Sequence, residues 1–294
     1  MRKTRPDAPE IAISPLPGWL TAAPAQTLED AAFRSGAALA HLHLVAGQKA
    51  VPQALWRERL ALIAAERCVS LSGRREAAAG LRDAMHLLRP GDHPGPAGEI
   101  LRQWFRAVAR PISVAQLSKA VDGISAAQIG LCLDAAGGNP VDRAAGAVEA
   151  VLTDAPRAET AALILADAVL AKSLGCDPLL PLLSLALNPR DLRLRDDLLR
   201  LACHRAVVVG AGQAIQLAAD LARRAARLQA AAPKLRAKGA DRAVELFLSR
   251  DAFAPTALVA FMSDRAARRL CDRLVELGAI RELTGRDSFR LYGV

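Results

Sequence analysis

From Thr27 to about residue 231, apolar side chains return at three- and four-residue steps, and no stretch alternates at period two for long enough to form a strand. The spacing predicts successive helices over about 27–46, 52–72, 74–88, 97–109, 113–122, 125–135, 142–153, 157–174, 178–187, 191–209 and 212–231. Breaks are expected at "GDHPGPAG" (91–98), "GGNP" (137–140) and "NPRD" (188–191), where glycine and proline cannot continue a helix. Thr27 and Asp30 have the spacing of a capping box at the first helix. Residues 1–26 hold five prolines and no periodicity, which predicts an irregular arm lying on the helical domain.

The pattern changes after "PKLRAKGADR" (233–242), a basic segment opened by proline and interrupted by Gly239. A helix is expected over 242–251, a shorter one over 255–261 and an arginine-rich one over 263–277. A strand pair should follow, 280–283 with 288–293, turning at Gly285 in "TGRD". In the arginine-rich helix Ser263 is the N-cap. Ala267, Leu270, Cys271, Leu274 and Leu277 form one apolar stripe, and Gly278 closes the helix. Arg265, Arg268, Arg269 and Arg273 are left on the opposite face. The expected organisation is a Pro-rich arm (1–26), an all-α domain (27–232), a basic linker (233–241) and a small C-terminal winged helix-turn-helix (242–294).

Charge sharpens this picture. The formal charge is +9 over 294 residues, and residues 221–294 carry 15 Lys/Arg against 8 Asp/Glu, a net +7. A positive field concentrated at one end suits a polyanion. Arginine on the first turns of a second helix can fork onto guanine or clamp a phosphate, so Ser263, Arg265, Arg268, Arg269, Arg273 and, at the hairpin tip, Arg286 are the expected contacts to double-stranded DNA. A second helix pair, 113–136, offers Ser125, Ala126, Ala127 and Gln128 in the same place, without positive charge, and reads as packing.

Other chemistry is thin. "AVVVGAGQAI" (206–215) has Gly210 and Gly212 but Ile215 where a dinucleotide fingerprint has its third glycine, so it reads as a helix break with close packing. His41 and His43 point to different helix faces, which is wrong for a shared metal. The densest polar cluster before the basic end is His86, Asp92 and His93. A turn stapled by Asp92 accounts for it, with a ligand or metal site as the alternative. The five cysteines are odd in number, widely spaced and set in apolar contexts, so they read as buried thiols of a reducing cytosol. No uncharged run reaches the roughly 18 residues of a membrane span, and "MRKTRPDAPE" is not followed by the apolar segment of a secretory signal.

The stretches 55–101, "LADAVLAKSLG" (165–175) and 217–248, with the C-terminal end, resemble domain of unknown function family 1403, a group found mainly in alphaproteobacteria. That resemblance runs over nearly the whole chain and implies no activity. The C-terminal end is also similar to the tail of some Fic-related bacterial proteins, but the His-Pro-Phe loop that carries Fic chemistry is missing.

The expectation is therefore a cytoplasmic, non-enzymatic DNA-binding protein of regulatory type, with no cofactor, metal or membrane partner, whose helical body supplies homodimerisation or a ligand response. The rivals are a winged helix that docks on protein, and an enzyme or ligand-binding protein with its site near residues 86–99.

Overall fold

A computed structural model describes residues 13–89, 91–235, 238–286 and 288–294. The helices are α1 (Gly18–Thr21), α2 (Leu28–Ala46), α3 (Gln53–Leu71), α4 (Ala78–His86), α5 (Gly95–Ala109), α6 (Val114–Ala120), α7 (Ala126–Leu133), α8 (Pro140–Asp154), α9 (Glu159–Ser173), α10 (Asp196–Ala231), α11 (Ala240–Phe247) and α12 (Asp264–Glu276). Two short strands, β1 (Arg281–Glu282) and β2 (Tyr292–Gly293), pair antiparallel at the C-terminal end, with Glu282 opposite Tyr292. The fold is all-α apart from this ribbon.

Two helices organise the body. α9 is buried over the whole run Ala161–Ala171, as expected of a helix that is apolar all round. α10, 36 residues long, packs against α2, α8 and α3. By length and composition α10 could cross a membrane, but more than half of its most apolar window is buried inside the protein. The indole Nε1 of Trp56 on α3 donates to the Ala214 carbonyl of α10 at 2.9 Å, and Trp104 on α5 donates to the Cys68 thiol of α3 at 3.4 Å. Both tryptophans are fully buried, and each polar tip finds a partner across a helix boundary.

The described part of the arm packs on the body and contains the short helix α1 where an irregular segment was expected. Leu20 and Ala25 are buried, Arg205 of α10 donates through Nε to the Ala25 carbonyl at 2.7 Å, and Arg34 of α2 donates to that of Ala23 at 2.6 Å. Thr27 caps α2, accepting from the Asp30 amide at 3.2 Å. Residues 1–12 lie outside the described residues.

Three expectations need correction. First, α10 does not break at Gly210 and Gly212. A Cβ on Gly210 would sit 2.3 Å from the Leu182 carbonyl oxygen, so the residue serves close packing while the helix runs on. Second, residues 178–187 form no α-helix, only a 3-10 turn at Leu183–Leu185. The amides of Leu182 and Leu183 donate to the buried Asp167 carboxylate of α9, at 3.0 and 2.8 Å, and the Ser184 hydroxyl joins them at 2.8 Å. Those amides have no need of carbonyls four residues back. Burial pushes the Asp167 carboxyl up to about 6, against these hydrogen bonds. Third, residues 255–261 give a 3-10 turn, Pro255–Leu258, in place of a second α-helix.

Candidate nucleic-acid interface

α12 begins where the Ser263 hydroxyl accepts from the Ala266 amide at 3.3 Å and ends before Gly278, whose φ of +65° suits glycine. Ala267, Leu270, Cys271 and Leu274 are buried against the Pro255–Leu258 turn and its neighbours, and Leu277 is half-buried. Burial pushes the Cys271 thiol up to about 12. The other face is open: Ser263, Arg265, Arg268, Arg269 and Arg273 are all exposed. Arg268 pairs with Asp264 at 3.0 Å and Arg273 with Glu276 at 2.9 Å, both within the helix. Arg265 and Arg269 have no ion-pair partner among the described residues.

The elements around α12 are ordered by a single antiparallel bridge, Phe253 with Tyr292, both of whose backbone hydrogen bonds form, at 3.1 and 3.0 Å. β2 therefore lies between residue 253 and β1, and the Tyr292 hydroxyl reaches toward Asp272 of α12 at 3.5 Å. The ribbon is shorter than the expected 280–283 and 288–293 pair. Its turn is held by side chains: the Glu282 carboxylate accepts from the amides of Thr284 and Gly285 at 2.8 and 2.9 Å, and the Thr284 hydroxyl donates to the Phe289 carbonyl at 3.1 Å.

Arg286 does not project from the tip as a free cation. It pairs with Asp83 of α4, 203 residues earlier in the chain. The C-terminal unit is fixed to the body more deeply at Asp251, only 3% exposed. Arg82 holds its carboxylate through two hydrogen bonds, 2.7 and 3.0 Å, and Arg59 of α3 pairs with the same group. Burial alone would raise the Asp251 carboxyl, but the Arg82 hydrogen bonds and the two guanidinium charges outweigh it and hold it below its ordinary value. Glu58 accepts from the Asp251 amide at 2.8 Å and from Arg250 at 3.0 Å, and burial raises its carboxyl.

His86, Asp92 and His93 are not gathered into one site. His86 is half-buried in a pocket of about 560 Å³ between α3, α4, α5 and the C-terminal unit, where burial lowers its basicity; neither Asp92 nor His93 lines that pocket. Asp92 and His93 are exposed. The Asp92 carboxylate accepts from the Arg89 amide at 2.9 Å and so staples the turn before α5. Among the described residues no three His, Cys, Asp or Glu side chains are grouped to hold a metal ion. The cysteines are unpaired; four are buried, and Cys176 is half-exposed where burial was expected.

Comparison with known families bears on the whole chain. The profile of the family described as "Protein of unknown function (DUF1403)" matches residues 6–294. The chain belongs to that family. A search of curated proteins found no match. Family membership thus covers the helical body and the C-terminal unit together and brings no activity with it.

One constellation in this family member has no counterpart in the sequence motifs. Ser35 of α2, His204 of α10 and Asp142 of α8 form a hydrogen-bonded chain, Oγ to Nδ1 at 2.7 Å and Nε2 to Oδ1 at 3.1 Å. Ser35 and His204 are each 1% exposed, and burial lowers the basicity of His204 against the pull of Asp142. The order is that of a nucleophilic relay. Ser35, however, sits inside α2, where backbone amides are committed to carbonyls one turn back and cannot stabilise an oxyanion. The chain therefore reads as a polar tie between three helices. The three residues lie 62 and 169 positions apart, so only the fold brings them together.

Proposed function

We propose that residues 240–294 form a winged helix-turn-helix that binds double-stranded DNA through α12, in a cytoplasmic protein of regulatory type. The order α11, residue 253, 3-10 turn, α12, β1, β2, with residue 253 and β1 flanking β2, supports that module. The observation that carries the reading is the pair Arg265 and Arg269. Both are exposed on the first two turns of a helix whose other face is buried, and neither is neutralised by a described residue. An unpaired guanidinium can take a phosphate or a guanine edge without giving up an existing partner.

Arg286 has a different part in this reading. Its pairing with Asp83 makes the wing a strut against the body, so α12 contacts DNA and the wing tip does not. The same pairing supports the second reading, in which the module is a protein-contact element already engaged by its own body.

Fluorescence anisotropy with a labelled duplex at rising salt separates the two. DNA binding through phosphates should weaken with salt at a slope of roughly −0.9 per contact, and the Arg265→Ala, Arg269→Ala double variant should lower that slope by about two. No binding at about 50 mM salt would leave the protein-contact reading standing and remove this one.

A further inference from the structure

A cleft of about 630 Å³ is bounded by α2, the start of α8, the end of α9 and the segment 176–182. Its size falls within the range of small-molecule sites. The lining contains no Lys, Arg, Asp or Glu. From Ser35 to Ala46, both on its wall, α2 runs eleven residues, about 16 Å at the helical rise. Leu39, Leu42, Leu170 and Leu182 supply apolar wall, while Ser35, His43, Asn139 and His204 supply polar atoms, and Ser35, Asn139 and His204 are tied together through Asp142.

The hydrogen bonds of that polar end are directional. A carboxylate only accepts, so His204 donates from Nε2 to Asp142, and the single Ser35 hydroxyl proton has two acceptors, His204 Nδ1 at 2.7 Å and the Ala32 carbonyl at 3.0 Å. Ser35 Oγ then keeps acceptor capacity. Asn139 accepts at Oδ1 from the amides of Val141 and Asp142 and donates one Nδ2 proton to Asp142, which leaves its second proton without a described partner. The polar end thus offers one acceptor and one donor, backed by the Asp142 carboxylate, which does not line the cleft.

We infer that this cleft binds an uncharged, mostly apolar small molecule carrying one hydrogen-bonding group, such as an alcohol or an amide, seated against Ser35 and Asn139. A charged ligand would be stripped of water by a lining that offers no Lys, Arg, Asp or Glu to pair with it. This site is separate from the DNA reading and stands or falls without it.

Two residues make the idea testable. Cys176 lines the cleft and is the half-exposed cysteine among five whose other four are buried, so its alkylation reports on occupancy. Gly36 also lines the cleft within α2, and a Cβ there meets nothing within 4 Å. Leucine at that position would project into open space and improve helix propensity.

The probe is 1-N-phenylnaphthylamine, titrated by fluorescence, with N-ethylmaleimide labelling of Cys176 read by peptide mass spectrometry. One molecule should bind per chain. At a probe concentration about ten times Kd, mass action should slow Cys176 alkylation about tenfold. The anionic relative 1-anilinonaphthalene-8-sulfonate should bind at least about tenfold more weakly, because its sulfonate finds no Lys or Arg in the lining. Gly36→Leu should abolish binding while Gly36→Ala keeps it. Should Gly36→Leu fail to fold, protection of Cys176 in the wild-type chain still decides. No binding, an unchanged alkylation rate, equal affinity for the sulfonate, or a folded Gly36→Leu chain that still binds would each overturn the inference. So would Cys176 already shielded in a dimer on sedimentation, because a second copy would then occupy the cleft.

Discussion

Arg82 grips Asp251 at both carboxylate oxygens, Nε to Oδ2 at 2.7 Å and Nη2 to Oδ1 at 3.0 Å, across 169 residues of sequence. Both side chains are mostly withdrawn from water, 14% and 4% exposed. In that setting a bidentate pair is a strong contact, and loss of one member leaves a buried charge uncompensated.

Asp251→Ala should therefore cost about 3–5 kcal/mol in denaturant unfolding. The acid side follows from the depressed carboxyl: the stabilisation from Asp251 is present above the ordinary value of 3.8 and is lost as pH falls through the lower folded value. Acid titration of wild type and Asp251→Ala should show that difference below pH 3.8. Superimposable acid limbs would mean that Asp251 is not held by its arginines.

Asp167 has the opposite sign. Its folded value of about 6 lies above the ordinary 3.8, so the folded chain holds a proton that the unfolded chain has released between those values. Its contribution is fully present below pH 3.8 and falls away as pH rises to about 6. Asp167→Asn should flatten the stability profile across that window, measured as the difference between the two proteins. Asp167→Ala should instead lose about 1–3 kcal/mol for each backbone amide left without a partner.

The faces of α12 should separate by mutation. Arg268→Ala with Arg269→Ala should stay within about 0.5 kcal/mol of wild type per site, because both are exposed. Leu274→Ala, fully buried, should cost about 2–5 kcal/mol through lost burial and the cavity it leaves. Thermal melts check this, and a large drop in the arginine variant would show those side chains to be structural.

Gly210→Ala should destabilise in spite of the better helix propensity of alanine. Its Cβ would fall 2.3 Å from the Leu182 oxygen, and the backbone would have to shift, a strain of about 1–3 kcal/mol. Denaturant midpoints for Gly210→Ala and Gly36→Ala, the latter in open space, give the contrast.

Local signals in the sequence located much of this structure. Thr27, Ser125 and Ser263 each cap the helix that follows, because a cap is a short-range hydrogen bond between neighbours. The inward stripe of α12 followed from period alone. Residues 178–187 misled because their apolar spacing is helical while their amides are claimed by Asp167, a partner on another element. Gly210 misled for a related reason: its glycine answers to a carbonyl far away in sequence and not to the end of a helix. Arg286 looked like a free wing tip because nothing near it in sequence discloses Asp83. Ser35, Asp142 and His204 carry no spacing that a motif could use. In these four cases what was missed depended on long-range contact.

Asp251 also bears on how the chain can be divided. It belongs to the segment after the basic stretch 233–241, yet its charge partners Arg59 and Arg82 belong to the body. Cleavage within that stretch and separation of the pieces would leave a carboxylate without cations on one fragment and two guanidinium groups facing an empty socket on the other. The tail and the body each complete the other's electrostatics, so an excised tail is a different molecule from the tail in place.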